Sequence, residues 1–503
     1  MVPPAMSVFP VVHDLLDGAA DRRPDAPAVR LGPAALTYGA LRDHSERLAS
    51  WLVRLGVRRG DRVLVALASD VLVPPLLYAC SRAGAVFVVI RHGTPRAVAA
   101  HVLDDATPVL VLSDSAAICA LAGQRGIAHR GLAEVRAAAA GPRSPLPAGP
   151  LPADPVCFIY TSGSTAMPKA VVSTHLQVTF AVHAIQSQLC YRDSDVVYCP
   201  LPLSFDYGLY QIFLCTLAGG QLYLAAPEAA GHRLLVDLHD AGTSVLPALP
   251  SLAGNLARLL ARRPASLPRL RLLTNTGAAM PGRVLADLRS HLPQLRVQLM
   301  YGLTECKRAA IMPQDEDLRR PGACGRALPG TEIFVVDSDG ARLAAGTVGE
   351  VVVRGPNVMA GYWRRPELTA QRFRLASGLF PQLHTGDYGW LDDDGYLYFA
   401  GRRDDLYKER GFRVSTTEVE AATHRLLGIQ AAVVLPPAAG EEGATLLVES
   451  SLGPHEVLRR LRGELDEAKV PARCVVVEEL PLNANGKIER AQLARLAGVG
   501  ARG

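Results

Sequence analysis

At 503 residues the chain is longer than one ordinary core supports and should divide into two or more domains. A formal charge of +5, spread along the chain, excludes a nucleic-acid footprint. With 49% hydrophobic and 20% charged residues the composition is that of a globular protein. The first fourteen residues lack a basic segment followed by a long apolar run, and the apolar stretches 71–79 and 85–90 are too short to span a bilayer. The expected setting is therefore cytoplasmic, with no membrane partner. Nine cysteines without a C-x-x-C pair, and no H-E-x-x-H, read as reduced thiols and not as a metal site or disulfides.

In chain order, Thr37 reads as the N-cap of a helix with Leu41, Leu48, Leu52 and Leu55 on one face and Gly56 at its end. A strand at 62–67, a helix at 71–82 and strands at 85–90 and 108–112 follow, an alternation that predicts a parallel α/β sheet. The alanine- and proline-rich segment 137–155 reads as a surface loop before the apolar strand 156–160. A second alternation runs to about residue 310. Residues 333–354 carry the β-branched runs and glycines of antiparallel strands. After Arg402 a further segment has its own helix (416–427) and strand (474–477).

Of 53 basic residues only five are lysine: Lys169, Lys307, Lys408, Lys469 and Lys487. Arginine serves wherever a plain positive charge will do, so each lysine invites the question whether a compact ammonium is needed.

The most informative stretch is Tyr160-Thr161-Ser162-Gly163-Ser164-Thr165-Ala166-Met167-Pro168-Lys169-Ala170-Val171. Small residues and hydroxyls let backbone N–H and side-chain O–H groups approach phosphate oxygens, and Lys169 adds a point charge. It is not a Walker A loop, because Pro168 stands where the second glycine belongs and the sequel reads as a strand. On its own the stretch could equally be a simple turn.

The loop resembles the phosphate loop of the adenylate-forming superfamily: acyl-CoA synthetases, luciferases and adenylation domains of nonribosomal peptide synthetases. Further segments in that family's order are Tyr301-Gly302-Leu303-Thr304-Glu305, Gly349-Glu350 with Gly361-Tyr362, Thr385-Gly386-Asp387, Gly401-Arg402-Arg403-Asp404 leading to Lys408 and Gly411, and Asn485-Gly486-Lys487. The resemblance implies an α/β fold. A large core (1–402) of α/β sheets plus a small β-barrel would hold acid and ATP. A small mobile α+β domain (403–503) would carry the catalytic lysine. It implies an AMP-forming carboxylate–thiol ligase using ATP and Mg²⁺.

Activation of a carboxylate as a mixed anhydride with AMP requires two anions to be brought together and the developing charge neutralised. The resemblance assigns the roles. Thr161, Ser162, Gly163, Ser164, Thr165 and Lys169 would hold the outer phosphates. Gly277, Ala278 and Ala279 would line the ATP site, Tyr301 would receive adenine, Asp387 with Arg402 the ribose, and Thr304 the α-phosphate. Glu305 would hold the metal. Lys487 would bridge substrate carboxylate and α-phosphate, and Asp404, Lys408 and Gly411 would form the hinge and thiolation face. The family has glycine where Ala166 and Ala170 stand, and a methyl group there is expected to narrow the loop.

For the acid, the resemblance places Asp206, Tyr207, Tyr210, Ala248, Thr274, Thr276, Met300, Arg308 and Ala309 around the substrate, with Lys487 at its carboxylate. Amino-acid-activating members have an aspartate at the Asp206 position, where it pairs with the substrate ammonium; Asp206 reads equally as the N-cap of a helix over 207–217. Phe205–Tyr210 together with Glu305–Arg308 is similar to free-standing prolyl-AMP ligases that load a carrier protein, which makes L-proline the specific candidate. The acceptor would be a phosphopantetheinyl carrier expected on a separate protein, or alternatively coenzyme A. A phosphotransferase yielding ADP and a nucleotide sensor without catalysis are the competing classes.

Overall fold

In the computed structural model, residues 10–161, 167–225, 231–263, 266–376, 380–402, 406–409, 412–437, 443–465, 467–482 and 488–497 are described. Among them the fold is mixed α/β, built on two large sheets.

The first sheet has seven strands, and its parallel part comprises Pro155–Thr161, Val86–Val89, Arg62–Ala66, Leu110–Ser113 and Ala128–Arg130. Both faces of all but the edge strand Ala128–Arg130 are covered, which is why those strands read as apolar runs. Helix Tyr38–Arg54 packs on one face through Leu41, Leu48 and Leu52. Its cap is as expected: the Thr37 hydroxyl accepts from the Ala40 N–H at 3.2 Å. Gly56, at φ +88°, turns the chain away, a conformation that glycine adopts without strain.

The second sheet has fourteen strands. Its parallel half contains Pro27–Leu31, Gln221–Leu224, Val196–Cys199, Val245–Ala248, Leu272–Asn275 and Arg296–Tyr301. The antiparallel strands expected as a small barrel hydrogen-bond as an extension of this sheet, joined through Ala310–Ile311 to Arg296–Tyr301 on one side and to Ala323–Ala327 on the other. Glu332–Val336, Gly349–Arg354, Phe380–Leu391 and Leu397–Arg402 complete that arm. Beyond Arg402 the strands Leu406–Glu409 and Phe412–Ser415 form a hairpin, and Ile429–Leu435, Thr445–Ser450 and Arg473–Val477 form a separate three-stranded sheet. The helix there, Thr416–His424, is shorter than expected.

No helix among the described residues is long and apolar enough to cross a membrane. All nine cysteines are free.

Candidate active site

In open parallel sheets, ligand sites form beyond the carboxyl ends of the strands. Ala248, Thr274 and Met300–Tyr301 occupy those ends on three adjacent strands. The helix Asp206–Ala218, which follows Val196–Cys199, brings Asp206, Tyr207 and Tyr210 to the same place. Tyr207 ties helix to sheet: its hydroxyl donates to the Thr274 carbonyl at 2.8 Å and lies 2.7 Å from the Thr274 hydroxyl. Gly208 is required here, because a Cβ would collide with the Pro202 carbonyl.

The residues expected to hold the nucleotide come together around Glu305. Strands Pro155–Thr161 and Lys169–Thr174 are antiparallel with Thr161 opposite Lys169, so the serine- and glycine-rich segment joins strand to strand as expected. Its base is braced: the Tyr160 hydroxyl donates to Asp105 at 2.8 Å, Arg365 donates to the same carboxylate at 2.9 Å, and the His101 ring lies 2.7 Å from the Pro168 carbonyl. The Thr161 hydroxyl is buried without a hydrogen-bond partner among the described residues, as suits a group kept for a ligand.

Strand Gly361–Tyr362 pairs with Lys169–Thr174 and places the Tyr362 ring 4.0 Å beneath the Lys169 ammonium. The Tyr362 hydroxyl donates to Glu305 at 2.7 Å. Burial pushes the Lys169 pKa down, Glu305 opposes this, and Arg372 and Arg402 reinforce it. Lys169 thus feels two further cations, Arg372 and Arg402, against the one carboxylate of Glu305, an arrangement that favours anions.

Asp387 is buried, and burial raises its pKa against the opposing pull of Arg402 and the Tyr301 hydrogen bond. The Tyr301 hydroxyl donates to Asp387 Oδ2 at 2.7 Å. Arg402 Nε lies 3.3 Å from Oδ1, an ion pair without hydrogen-bond geometry, and among the described residues Oδ1 accepts no hydrogen bond. An acceptor oriented by a phenol and left open is what a sugar hydroxyl needs. The turn is fixed by Glu350, which accepts from the Gly386 N–H at 3.0 Å and contacts the His384 ring at 3.0 Å. Gly386, at φ +70°, also admits Arg372, whose guanidinium a Cβ would strike. Gly277 likewise has positive φ, +86°, and Ala278 and Ala279 beside it are exposed.

On the acid side, Asp206 is the first helical residue, not the cap: Phe205 holds the cap position and no side chain caps it. The Asp206 carboxylate, 6% exposed, meets Arg308 Nη1 at 3.5 Å. That guanidinium sits over the Tyr207 ring at 4.8 Å and donates to the Lys307 carbonyl at 2.8 Å. Lys307 is fully buried at φ +61°. Its ammonium lies 5.5 Å from the Tyr210 ring and makes no hydrogen bond among the described residues. Burial pushes its pKa down, opposed by Cys157, Asp206 and Glu305. The Tyr210 and Thr276 hydroxyls are also buried without partners. Gly302 admits the Lys307 and Arg308 backbone, against which a Cβ would clash. Asn357 holds that backbone by donating to the Cys306 and Arg308 carbonyls at 3.3 and 3.0 Å.

The sequence-derived residues therefore divide. Thr161, Lys169, Asp206, Tyr207, Tyr210, Ala248, Thr274, Thr276, Gly277, Met300, Tyr301, Thr304, Glu305, Arg308, Ala309, Asp387 and Arg402 lie among the described residues. Ser162, Gly163, Ser164, Thr165, Ala166, Asp404, Gly411 and Lys487 lie outside them, and Lys408 is described only as a strand residue. Ala170 corrects an expectation. It belongs to the strand after the loop, and its methyl joins the apolar cluster of Phe158 and Val172, so it does not narrow the loop. Sequence reading missed Arg372 and Tyr362 as a donor to Glu305. It singled out Lys307 through the scarcity of lysine but gave it no role.

This chain belongs to the AMP-binding enzyme family, whose model matches residues 16–363. Members of this family are acid–thiol ligases that use ATP and Mg²⁺, and the chain is an adenylate-forming ligase. Among the described residues no group of three or more His, Cys, Asp or Glu is assembled to hold a metal. A single carboxylate such as Glu305, completed by phosphate oxygens, is a donor set this ion accepts.

The chain is similar to CymA of Salinispora arenicola, a probable non-canonical nonribosomal peptide synthetase, with 32% identity over 95% of this chain. It spans only 6% of that synthetase's length. It is also 32% identical to a feruloyl-CoA synthase of an Amycolatopsis species, over 94% of this chain and 96% of that one. Among solved structures, VinN in complex with L-aspartate matches with TM-score 0.72 and 38% identity, covering 78% of this chain and 98% of that one.

Proposed function

We propose that the chain activates a small amino acid as its aminoacyl-AMP and passes the aminoacyl group to the phosphopantetheine thiol of a carrier protein. The observation that carries this reading is the buried Asp206 carboxylate at the strand ends, held by a single long contact to Arg308. A buried carboxylate calls for a cation, and a substrate ammonium supplies one. That a similar chain, VinN, was solved with L-aspartate supports an amino acid. L-proline is the monocarboxylate to test within the class.

In the first step a substrate carboxylate oxygen bonds to the α-phosphorus of ATP. The bond to the β-phosphate's bridging oxygen breaks, and pyrophosphate leaves with the electron pair. In the second, a thiolate attacks the activated carbonyl and AMP departs. Lys487 neutralises the charge of the first step. Residues 403–503 act as a small domain hinged at Asp404, which brings Lys408 and Gly411 forward for the second step. The free thiols of the chain fit a reducing, cytoplasmic setting.

A second acceptor, coenzyme A, is favoured by the similarity to feruloyl-CoA synthase over nearly its whole length. The test is substrate-dependent ATP–pyrophosphate exchange over amino, aryl and aliphatic acids, followed by thioester formation on a phosphopantetheinylated carrier or on coenzyme A. Exchange with non-amino acids alone contradicts the amino-acid reading. Thioester on coenzyme A alone replaces the carrier.

A further inference from the structure

The acid side carries more positive charge than a simple amino acid answers. Asp206, Lys307 and Arg308 are all buried, with side-chain exposures of 6% and 5% for Asp206 and Arg308 and none for Lys307. Among the described residues, Asp206 is the one carboxylate hydrogen-bonded to Arg308, at 3.5 Å. Arg308 otherwise donates to the Lys307 carbonyl, which cannot neutralise it. The Lys307 ammonium, with no hydrogen-bond partner, adds positive potential from beneath Tyr210.

When a substrate ammonium takes Asp206, Arg308 loses its counter-charge. A buried guanidinium stripped of its carboxylate is costly, and the cost falls on binding unless the ligand returns an anion. The carboxylate being activated cannot serve, because its charge is spent on bonding to the α-phosphorus. From this charge balance we infer that the substrate is an amino dicarboxylic acid of about four or five carbons. Its ammonium lies on Asp206, one carboxylate lies on Arg308 with Lys307 behind it, and the other is activated. Arg308 is then the residue that decides specificity, and its planar fork suits a carboxylate. The inference rests on the amino-acid reading of Asp206 and sharpens it.

The test is kcat/KM for ATP–pyrophosphate exchange with L-aspartate, L-glutamate, L-asparagine, L-isoasparagine, L-alanine, L-proline and succinate. The two asparagines replace one or other carboxylate by an amide of the same shape. L-aspartate or L-glutamate should exceed each amide and each monocarboxylate by about 100-fold or more. Arg308→Gln should cut that ratio by about the same factor. The charge-balanced Asp206→Asn/Arg308→Gln protein, checked by its melting curve, guards against a folding defect in the single variant. Equilibrium binding of L-aspartate and L-alanine to the wild-type protein serves if exchange is too slow to read, with L-aspartate again expected to be tighter. An amide or L-proline used as well as the dicarboxylates overturns this inference and leaves amino-acid activation standing. Succinate matching L-aspartate overturns both.

Discussion

Lys169 and Lys307 both feel the charge of Glu305, yet their surroundings differ. Lys169 is half-buried above the Tyr362 ring at 4.0 Å, in the field of Arg372 and Arg402. Lys307 is wholly buried under Tyr210 at 5.5 Å, without a hydrogen bond. The nucleotide side thus offers its cation to a ligand directly. The acid side holds its lysine in reserve and lets Arg308 make the contact. A third lysine, Lys469, pairs with Glu418 at 2.6 Å on the surface, the ordinary role that arginine fills elsewhere in this chain.

Changes on the nucleotide side should stop the chemistry for every acid, whereas changes on the acid side should alter which acid is used. Lys487→Ala gives the largest effect expected, a loss of adenylate formation of about 1,000-fold or more with nucleotide binding retained. Exchange kinetics beside a nucleotide titration check it, and a near-normal rate would remove Lys487 from the mechanism. Lys169→Arg separates charge from titration. Burial lowers the Lys169 pKa from its ordinary 10.5, so its ammonium is lost earlier on the alkaline side. The wild-type KM for ATP should then rise about tenfold before that pH is reached, while the arginine variant stays flat.

Tyr362→Phe removes one hydrogen bond to Glu305 and should slow exchange about 3- to 10-fold for all acids alike. A loss confined to one acid would blur the division between the two sides. The smallest effect concerns stability. Lys307→Met fills a similar volume without a buried charge and should raise Tm by about 1–3 °C while weakening dicarboxylate use. Because burial lowers the Lys307 pKa, the unfolded chain holds that proton more tightly. Wild-type stability should therefore gain as pH rises towards the free-lysine value, a gain absent from the variant. A lower Tm in Lys307→Met would mean that the ammonium is structural.

The parallel sheets were legible in the sequence because strands covered on both faces are apolar throughout, and the Thr37 cap because its chemistry is local. The motif residues were legible because phosphate chemistry demands particular side chains at short spacing. The arm of antiparallel strands was expected as a barrel. Its connection to the large sheet runs through Ala310–Ile311, a two-residue strand with no pattern to read. Asp206 left two readings open, since an acid at a helix start serves as cap or as ligand; only the position of Phe205 and the contact with Arg308, 102 residues away, separates them. Arg372 was invisible for the same reason. Its significance lies in its approach to Gly386 and its field at Lys169, neither of which is written locally.

The most direct test of the account compares an amino acid with its deaminated counterpart, L-aspartate against succinate, in wild type and in Asp206→Asn, by kcat/KM for exchange. The account predicts a preference of about 100-fold or more for the amino compound in wild type, collapsing towards unity in the variant. A ratio unmoved by the substitution would contradict it and return Asp206 to a structural partner of Arg308.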